Sequence, residues 1–233
     1  MAVNEDVHPP QFGESHWTEV SSRILGLVIS GDLPPGSWIR ENDLASRLGV
    51  SRTPIREAFR ELVGVGVVEV VPRRGTRVRS YDAEEIEQIY RSRAVIEPYV
   101  MSESVGRLTE DDFTTLSELA DEMKSLAADP ETRHRIAPVN NEFHGIVIRR
   151  SAAQSLITTT FNLMIPIVVA KLFSSYSDSG VSLSMNHHDE LISAAQAEDK
   201  EWVAAVSKAH IISGLNRFKS MQRTQPADQE GEP

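Results

Sequence analysis

The spacing of apolar residues changes along the chain, and each change predicts an element. Val20, Ile24, Leu27 and Val28 recur at helical intervals as far as Gly31, after which Leu33-Pro34-Pro35-Gly36 reads as a turn. Leu44-Ala45-Ser46-Arg47-Leu48 and the stretch opening at Ser51 read as two short helices, with Gly49 as the flexible residue between them. Ser51 stands where an N-cap hydroxyl would meet the free N–H groups of the second helix. Pro54 falls in its first turn, where a missing N–H costs little. Leu62, Val63, Val65, Val67 and Val68 continue the apolar run. Glu69-Val70-Val71 and Thr76-Arg77-Val78-Arg79 then predict two short strands around Pro72-Arg73-Arg74-Gly75. A hairpin placed directly after a helix-turn-helix is a wing.

Beyond Ser80-Tyr81 the period is helical throughout. Asp82, with Glu85 three residues on, predicts a capping box that opens a helix from Ala83 to about Gly106, with Pro98 as a kink or break. A second helix starts at Thr109, where Glu110-Asp111-Asp112 suits the positive helix terminus, and stops before Asp129-Pro130. Further helices are expected over Pro138–Arg150, over Gln154–Leu172 with a bend at Pro166, over Asn186–Glu198 and over Lys200–Lys219. A serine-rich loop is expected at Ser174–Ser184. The fold class is therefore mainly α: an N-terminal winged helix-turn-helix domain followed by an all-α antiparallel helical bundle. The expected divisions are a disordered tail at 1–15, the winged domain at 16–80, the helical domain at 81–221 and a disordered tail at 222–233.

Charge changes the picture of the first half. The net charge of −10 on 233 residues argues against nucleic acid until it is divided. Residues 16–80 hold ten Arg against seven acidic residues, and five of those arginines fall between Arg40 and Arg60. Residues 81–233 carry a net −10. The positive charge is local, as a DNA-facing patch requires, and the acidic half opposes indiscriminate binding. Arg52 and Arg56 lie four apart and project from one face near the helix's N-terminal end, the end a recognition helix presents to the major groove. The absence of cysteine excludes a disulfide framework and a thiolate metal site, and fits a reducing cytoplasm. The N-terminal stretch lacks the basic flank and apolar core of a signal peptide, and no apolar run is long enough to span a membrane.

The second half carries its own polar residues at helical spacing. Asn140 and His144 share a helix face beside Phe143; His188 opens a later helix, and His210 shares a stripe with Val203 and Val206. Three histidines on three helices either converge on one metal as neutral imidazoles or are unrelated core and surface residues. Arg93 either forks a ligand carboxylate or pairs along the helix with Glu97. Asn162 and Thr158–Thr160 are polar positions among apolar neighbours and line a pocket or face solvent. Gly145 leaves room beside His144, His187 is expected to face outward, and His134, His16 and His8 are expected to be solvated.

The string Gly31-Asp32-Leu33-Pro34-Pro35-Gly36, the Leu44-Ala45 pair, Val50 to Ala58 and Arg74-Gly75 resemble the GntR family of winged helix-turn-helix transcription regulators. The resemblance implies operator-DNA contacts from Arg52, Thr53 and Arg56, with Arg73, Arg74 and Gly75 in the wing. Some members carry a basic residue at the position of Asn42, and Arg40 is expected to supply that charge here. The pattern Asn140-x-x-Phe143-His144, His188, His210, together with Arg93-x-x-x-Glu97, resembles the FCD ligand-binding domain of the FadR-like subgroup. That implies a homodimer on a pseudo-palindromic operator, and a divalent metal, zinc or nickel, held by Asn140, His144, His188 and His210. It also implies a small organic acid as effector, for which Arg93 and Asn162 are candidate contacts. Asn140 replaces the usual aspartate, which leaves three outcomes: a weaker site, a three-histidine site, or no metal. Two other classes remain at this point, a metal-dependent bundle enzyme fused to a DNA-targeting module and a dimerisation scaffold that senses nothing. Against the enzyme, none of His144, His188 and His210 has a glutamate three residues before it, and no nucleophile–base pair stands near them.

Overall fold

A computed structural model describes residues 18–174 and 176–224. The expected N-terminal tail with His8, then His16 and Trp17, and residues 225–233 lie outside them. The chain divides into two compact units between Ser80 and Tyr81.

The first unit runs α1 (Glu19–Ile29), β1 (Trp38–Ile39), α2 (Glu41–Leu48), α3 (Arg52–Gly64), β2 (Val68–Val71) and β3 (Gly75–Val78). Thr18 caps α1, its hydroxyl accepting the Ser21 N–H at 3.2 Å, and the Ser21 hydroxyl donates to Glu61 on α3. α1 packs on α3, burying Ile24, Leu25 and Val28 from one helix and Ile55, Ala58, Phe59 and Leu62 from the other. Gly49 ends α2 at φ +68°, a left-handed turn that a side chain would strain. The antiparallel sheet has the order β1-β3-β2, with Val68 opposite Val78 and Trp38 opposite Arg77. The strand β1 is two residues long, too short for alternation to announce it.

The second unit runs α4 (Ala83–Ser102), α5 (Glu110–Ala127), a 3-10 turn at Pro130–Arg135, α6 (Ile136–Arg149), α7 (Gln154–Leu163), α8 (Pro166–Ser174), α9 (Asp178–Gln196) and α10 (Lys200–Thr224). Capping boxes open α4 at Asp82 with Glu85 and α5 at Thr109 with Asp112. α4 runs unbroken through Pro98, which is buried in the long face that α4 packs against α10. Packing there outweighs the lost backbone hydrogen bond. At Pro166 the chain breaks outright into α7 and α8, set 52° apart. The serine-rich stretch is not a loop throughout: Ser174 ends α8, and α9 begins at Asp178. Ser177 caps α9 by accepting the Gly180 N–H, Ser182 donates back to the Asp178 carbonyl, and Val181 and Ser184 are buried. Arg133 pins this helix start from the 3-10 turn, donating to the Tyr176 carbonyl at 3.0 Å and to the Asp178 carboxylate at 2.5 Å. α10 extends past the expected tail boundary to Thr224. Among the described residues no single helix is both long and apolar enough to cross a membrane.

Candidate nucleic-acid interface and candidate metal centre

Helix α3 is two-faced. Ile55, Ala58, Phe59 and Leu62 are buried, and Arg52, Thr53 and Arg56 are exposed on the first turn and a half. Ser51 occupies the N-cap position but makes no side-chain cap bond, so the expected hydroxyl cap is absent. The first-turn N–H groups are therefore left without that acceptor, at the end where the helix dipole favours an anion. Arg56 Nε lies 2.8 Å from Glu41 Oε2 at the start of α2, with both side chains partly exposed. Arg40, exposed, is the N-cap residue of α2, and neither Arg40 nor Arg52 forms an ion pair among the described residues.

The wing tip is a tight turn in which the Arg74 N–H donates to the Val71 carbonyl at 3.0 Å. Pro72 leads into Arg73 at φ +65°, followed by Gly75 at φ +106°. A positive φ at the third turn position ordinarily falls to glycine. Holding an arginine there costs about 1 kcal/mol or more and projects Arg73 and Arg74 into solvent at the tip.

In the second unit, α6 supplies Asn140 and His144, α9 supplies His188 and α10 supplies His210. The ring centroids stand 5.4 Å apart for His144–His188, 5.1 Å for His144–His210 and 4.7 Å for His188–His210. One ring nitrogen from each falls within 4.8 Å of the others. Asn140 Oδ1 lies 3.1 Å from His188 Nε2. Phe143 closes the site with its edge toward the rings of His144 and His188. Asn140, His144 and His188 are buried and His210 is half-buried.

Burial, followed by the neighbouring imidazoles, holds His188 and His210 well below the ordinary histidine range, so both are neutral near pH 7 with a lone pair to offer. His144 Nε2, His188 Nδ1 and His210 Nδ1 are buried without a hydrogen-bond partner among the described residues. Orphaned buried nitrogens are costly unless something binds them. Three imidazoles and an amide oxygen form a donor set that suits a divalent ion of the zinc or nickel kind, so the residues fit the group.

Behind His144 lies a buried ion pair. Arg93 Nε is 2.9 Å from Glu97 Oε2, and its guanidinium sits over the Tyr90 ring at 5.0 Å. Glu97 Oε1 is 2.9 Å from His144 Nδ1, although the N–H direction is turned off the oxygen. Burial pushes the Glu97 carboxyl up, but Arg93 and His144 outweigh it and hold it at about 2. Of the two readings open for Arg93, the pairing with Glu97 is the geometry present. Asn162 is exposed on α7, two residues past buried Thr160 and so on the other side of the helix, outside the histidine cluster. Gly145 opens no pocket: a Cβ there would meet Arg149 Nη1 at 3.0 Å and Phe161 at 3.5 Å. His187 is half-buried rather than outward, its ring 5.8 Å from His210. Glu97 is the residue the sequence reading missed as a neighbour of His144. Its spacing from Arg93 announced a pair on one helix, and no local pattern announces a contact across helices.

The sequence profile described as "Bacterial regulatory proteins, gntR family" matches residues 18–78, and that of the FCD domain matches residues 88–213, more than half of the chain. The chain is 28% identical over 206 residues to a probable D-xylose utilization operon transcriptional repressor of Paenarthrobacter nicotinovorans, covering 85% of this chain and 88% of that protein. It is 29% identical over 191 residues to the gluconate operon transcriptional repressor of Bacillus licheniformis, covering 78% and 76%. Among solved structures, Escherichia coli McbR/YncC shares the fold at a TM-score of 0.72 and 23% identity, over 87% of this chain and 96% of that one. These relatives are regulators, which sets the enzyme reading aside. An N-terminal winged helix-turn-helix matching one profile and a helical domain matching the other make this chain a member of the GntR family of bacterial transcriptional regulators, of the type that carries an FCD domain.

Proposed function

We propose that this chain is a ligand-responsive repressor whose helical domain binds a small carboxylate at the three-histidine site. The observation that carries the reading is the meeting of His144, His188 and His210 from three helices, with one ring nitrogen of each within 4.8 Å of the others. Asn140, His144, His188 and His210 are the residues that would hold a divalent ion. Such an ion would supply an open coordination position that a carboxylate oxygen can take from water. The protein's part is to keep His188 and His210 neutral by burial and to pack Phe143 against the rings of His144 and His188.

On the DNA side, Arg52, Thr53 and Arg56 read the major groove, while Arg73, Arg74 and Gly75 bring the wing to the backbone. Arg40 adds a phosphate contact at the start of α2. Two chains associate through their helical domains, and their symmetry is mirrored in a pseudo-palindromic operator. The effector shifts DNA affinity only by as much as it prefers one arrangement of the dimer over the other.

The test is a titration of operator DNA, selected from a random duplex pool, with the purified chain loaded with zinc or nickel. Small carboxylates are added in turn, sugar acids first because one relative represses a gluconate operon. A carboxylate that lowers DNA affinity in the wild type and has no effect in His144→Ala supports the reading. DNA binding indifferent to metal and to every carboxylate would leave a scaffold that dimerises and senses nothing.

A further inference from the structure

We propose that Glu97 is a positioning residue for the histidine site, an inference that rests on reading those histidines as metal ligands. Glu97 is fully buried on α4, and its carboxylate lies between two partners, Arg93 reaching both oxygens and His144 only Oε1. Oε2 is 2.9 Å from Arg93 Nε and Oε1 is 2.9 Å from His144 Nδ1. An ion pair made only for helix stability has no reason to reach across to α6. A neutral imidazole carries one N–H and one lone pair, and a carboxylate can only accept. Among the described residues neither ring nitrogen of His144 has another hydrogen-bond partner, so Glu97, beside Nδ1, selects the tautomer with the proton on Nδ1 and leaves the lone pair on Nε2. The ring needs only a turn about its soft second torsion to bring the N–H onto the oxygen.

Arg93 completes the arrangement from the other side. It holds the carboxylate in place through Nε and, more loosely, through Nη2 at 3.4 Å. Its planar face is taken up by Tyr90. Arg93 thus serves the site through Glu97, and the nitrogens it spends there are not free to fork an effector carboxylate.

The substitution Glu97→Gln inverts this logic. Arg93 needs an acceptor, so the glutamine carbonyl turns to Arg93 and its NH2 turns to His144 Nδ1. His144 then carries its proton on Nε2, where the lone pair is required. Two measurements on the full chain follow. Nitrogen-15 NMR of histidine-labelled protein, stripped of metal, reports the His144 tautomer: Nδ1–H in the wild type and Nε2–H in Glu97→Gln. Competition of the protein with a chelating dye for zinc reports a 10- to 100-fold weaker affinity in Glu97→Gln, with unchanged circular dichroism. If that variant misfolds, Arg93→Met/Glu97→Met, which buries no charge and offers His144 Nδ1 no acceptor, takes its place, with zinc affinity again expected to fall. A wild-type His144 protonated on Nε2, or zinc affinity equal in wild type and variant, overturns the positioning role while leaving the metal reading standing. A wild-type chain that binds neither zinc nor nickel overturns the metal reading itself.

Discussion

Arg56 is the side chain on which DNA recognition can be tested with a predicted size and sign. In the free protein it is held 2.8 Å from Glu41, and the two side chains are 57% and 33% exposed. A pair that open to water contributes about 0.2–1 kcal/mol. Removing it through Arg56→Ala is therefore expected to change folding stability by less than about 1 kcal/mol. If Arg56 contacts a base edge, the same change weakens operator binding by about 1–3 kcal/mol, or roughly 5- to 150-fold. Glu41 supplies the opposite sign. Arg56 must give up that carboxylate to reach DNA, and the carboxylate itself faces phosphates. Glu41→Gln is expected to strengthen binding by up to about 1 kcal/mol, or roughly 5-fold at most. Fluorescence anisotropy on the selected operator, repeated over a range of salt, reads both effects, and urea unfolding checks stability. Arg56→Ala with wild-type DNA affinity would show that α3 does not present this face to the groove. Weaker binding in Glu41→Gln would mean that the ion pair prepares Arg56 for DNA rather than competing with it.

Other outcomes can be stated more briefly. Asn140→Asp puts a carboxylate where the amide oxygen now stands 3.1 Å from His188, and zinc affinity by dye competition should rise at least about 10-fold, on the scale of ligand and outer-shell changes. Asp112→Asn weakens the side-chain half of the α5 capping box and takes the charge from the bond to Arg150, and should cost about 1 kcal/mol in urea unfolding at pH 7. Slight burial pushes the Asp112 carboxyl up, but the Arg150 guanidinium and the Thr109 bonds outweigh it and depress it. A depressed carboxylate stabilises above its unfolded value and loses that contribution as pH falls, so the wild-type advantage should begin to shrink below about pH 4 and vanish only below the depressed folded value. Gly214→Ala drives a Cβ to 2.9 Å from the Tyr176 hydroxyl and should destabilise by about 1–3 kcal/mol. Gly26→Ala, in α1 with nothing within 4 Å, should stabilise by about 0.5–1 kcal/mol, and thermal melts of the two should move in opposite directions.

Much of the fold was readable because its signals are local. The Asp82–Glu85 capping box, the left-handed Gly49 and the hairpin about Pro72–Gly75 each depend on residues within a few positions of one another. What escaped depends on tertiary partners. Pro98 signals a break by itself, yet it is buried inside an unbroken α4, whereas Pro166, also buried, opens α8 and divides it from α7. The serines after Ser174 signal a loop until Val181 and Ser184 are seen to be buried and Arg133 to anchor Asp178. The candidate site follows the same rule. His144, His188 and His210 could be listed from the sequence, but their convergence needed three helices in place. Asn162 looked like a pocket residue because polarity among apolar neighbours does not tell which side of a helix faces water.

The departure at Asn140 changes what the site does to a ligand as well as how tightly it would hold an ion. Asn140 is neutral, His188 and His210 are kept neutral by burial, and the Glu97 carboxylate beside His144 is already balanced by Arg93. Nothing in the donor set offsets the charge of a divalent ion. An aspartate in the place of Asn140 would cancel part of it. At the low effective dielectric of a buried site, a full unit of charge within about 4 Å is a term of several kcal/mol before desolvation is subtracted. The neutral set therefore trades metal affinity for pull on an anion. Asn140→Asp should tighten the metal and, in the same protein, weaken a bound carboxylate, measurable by calorimetry on the zinc-loaded wild type and variant. Tighter binding of both would show that the carboxylate is held chiefly by the protein's own donors.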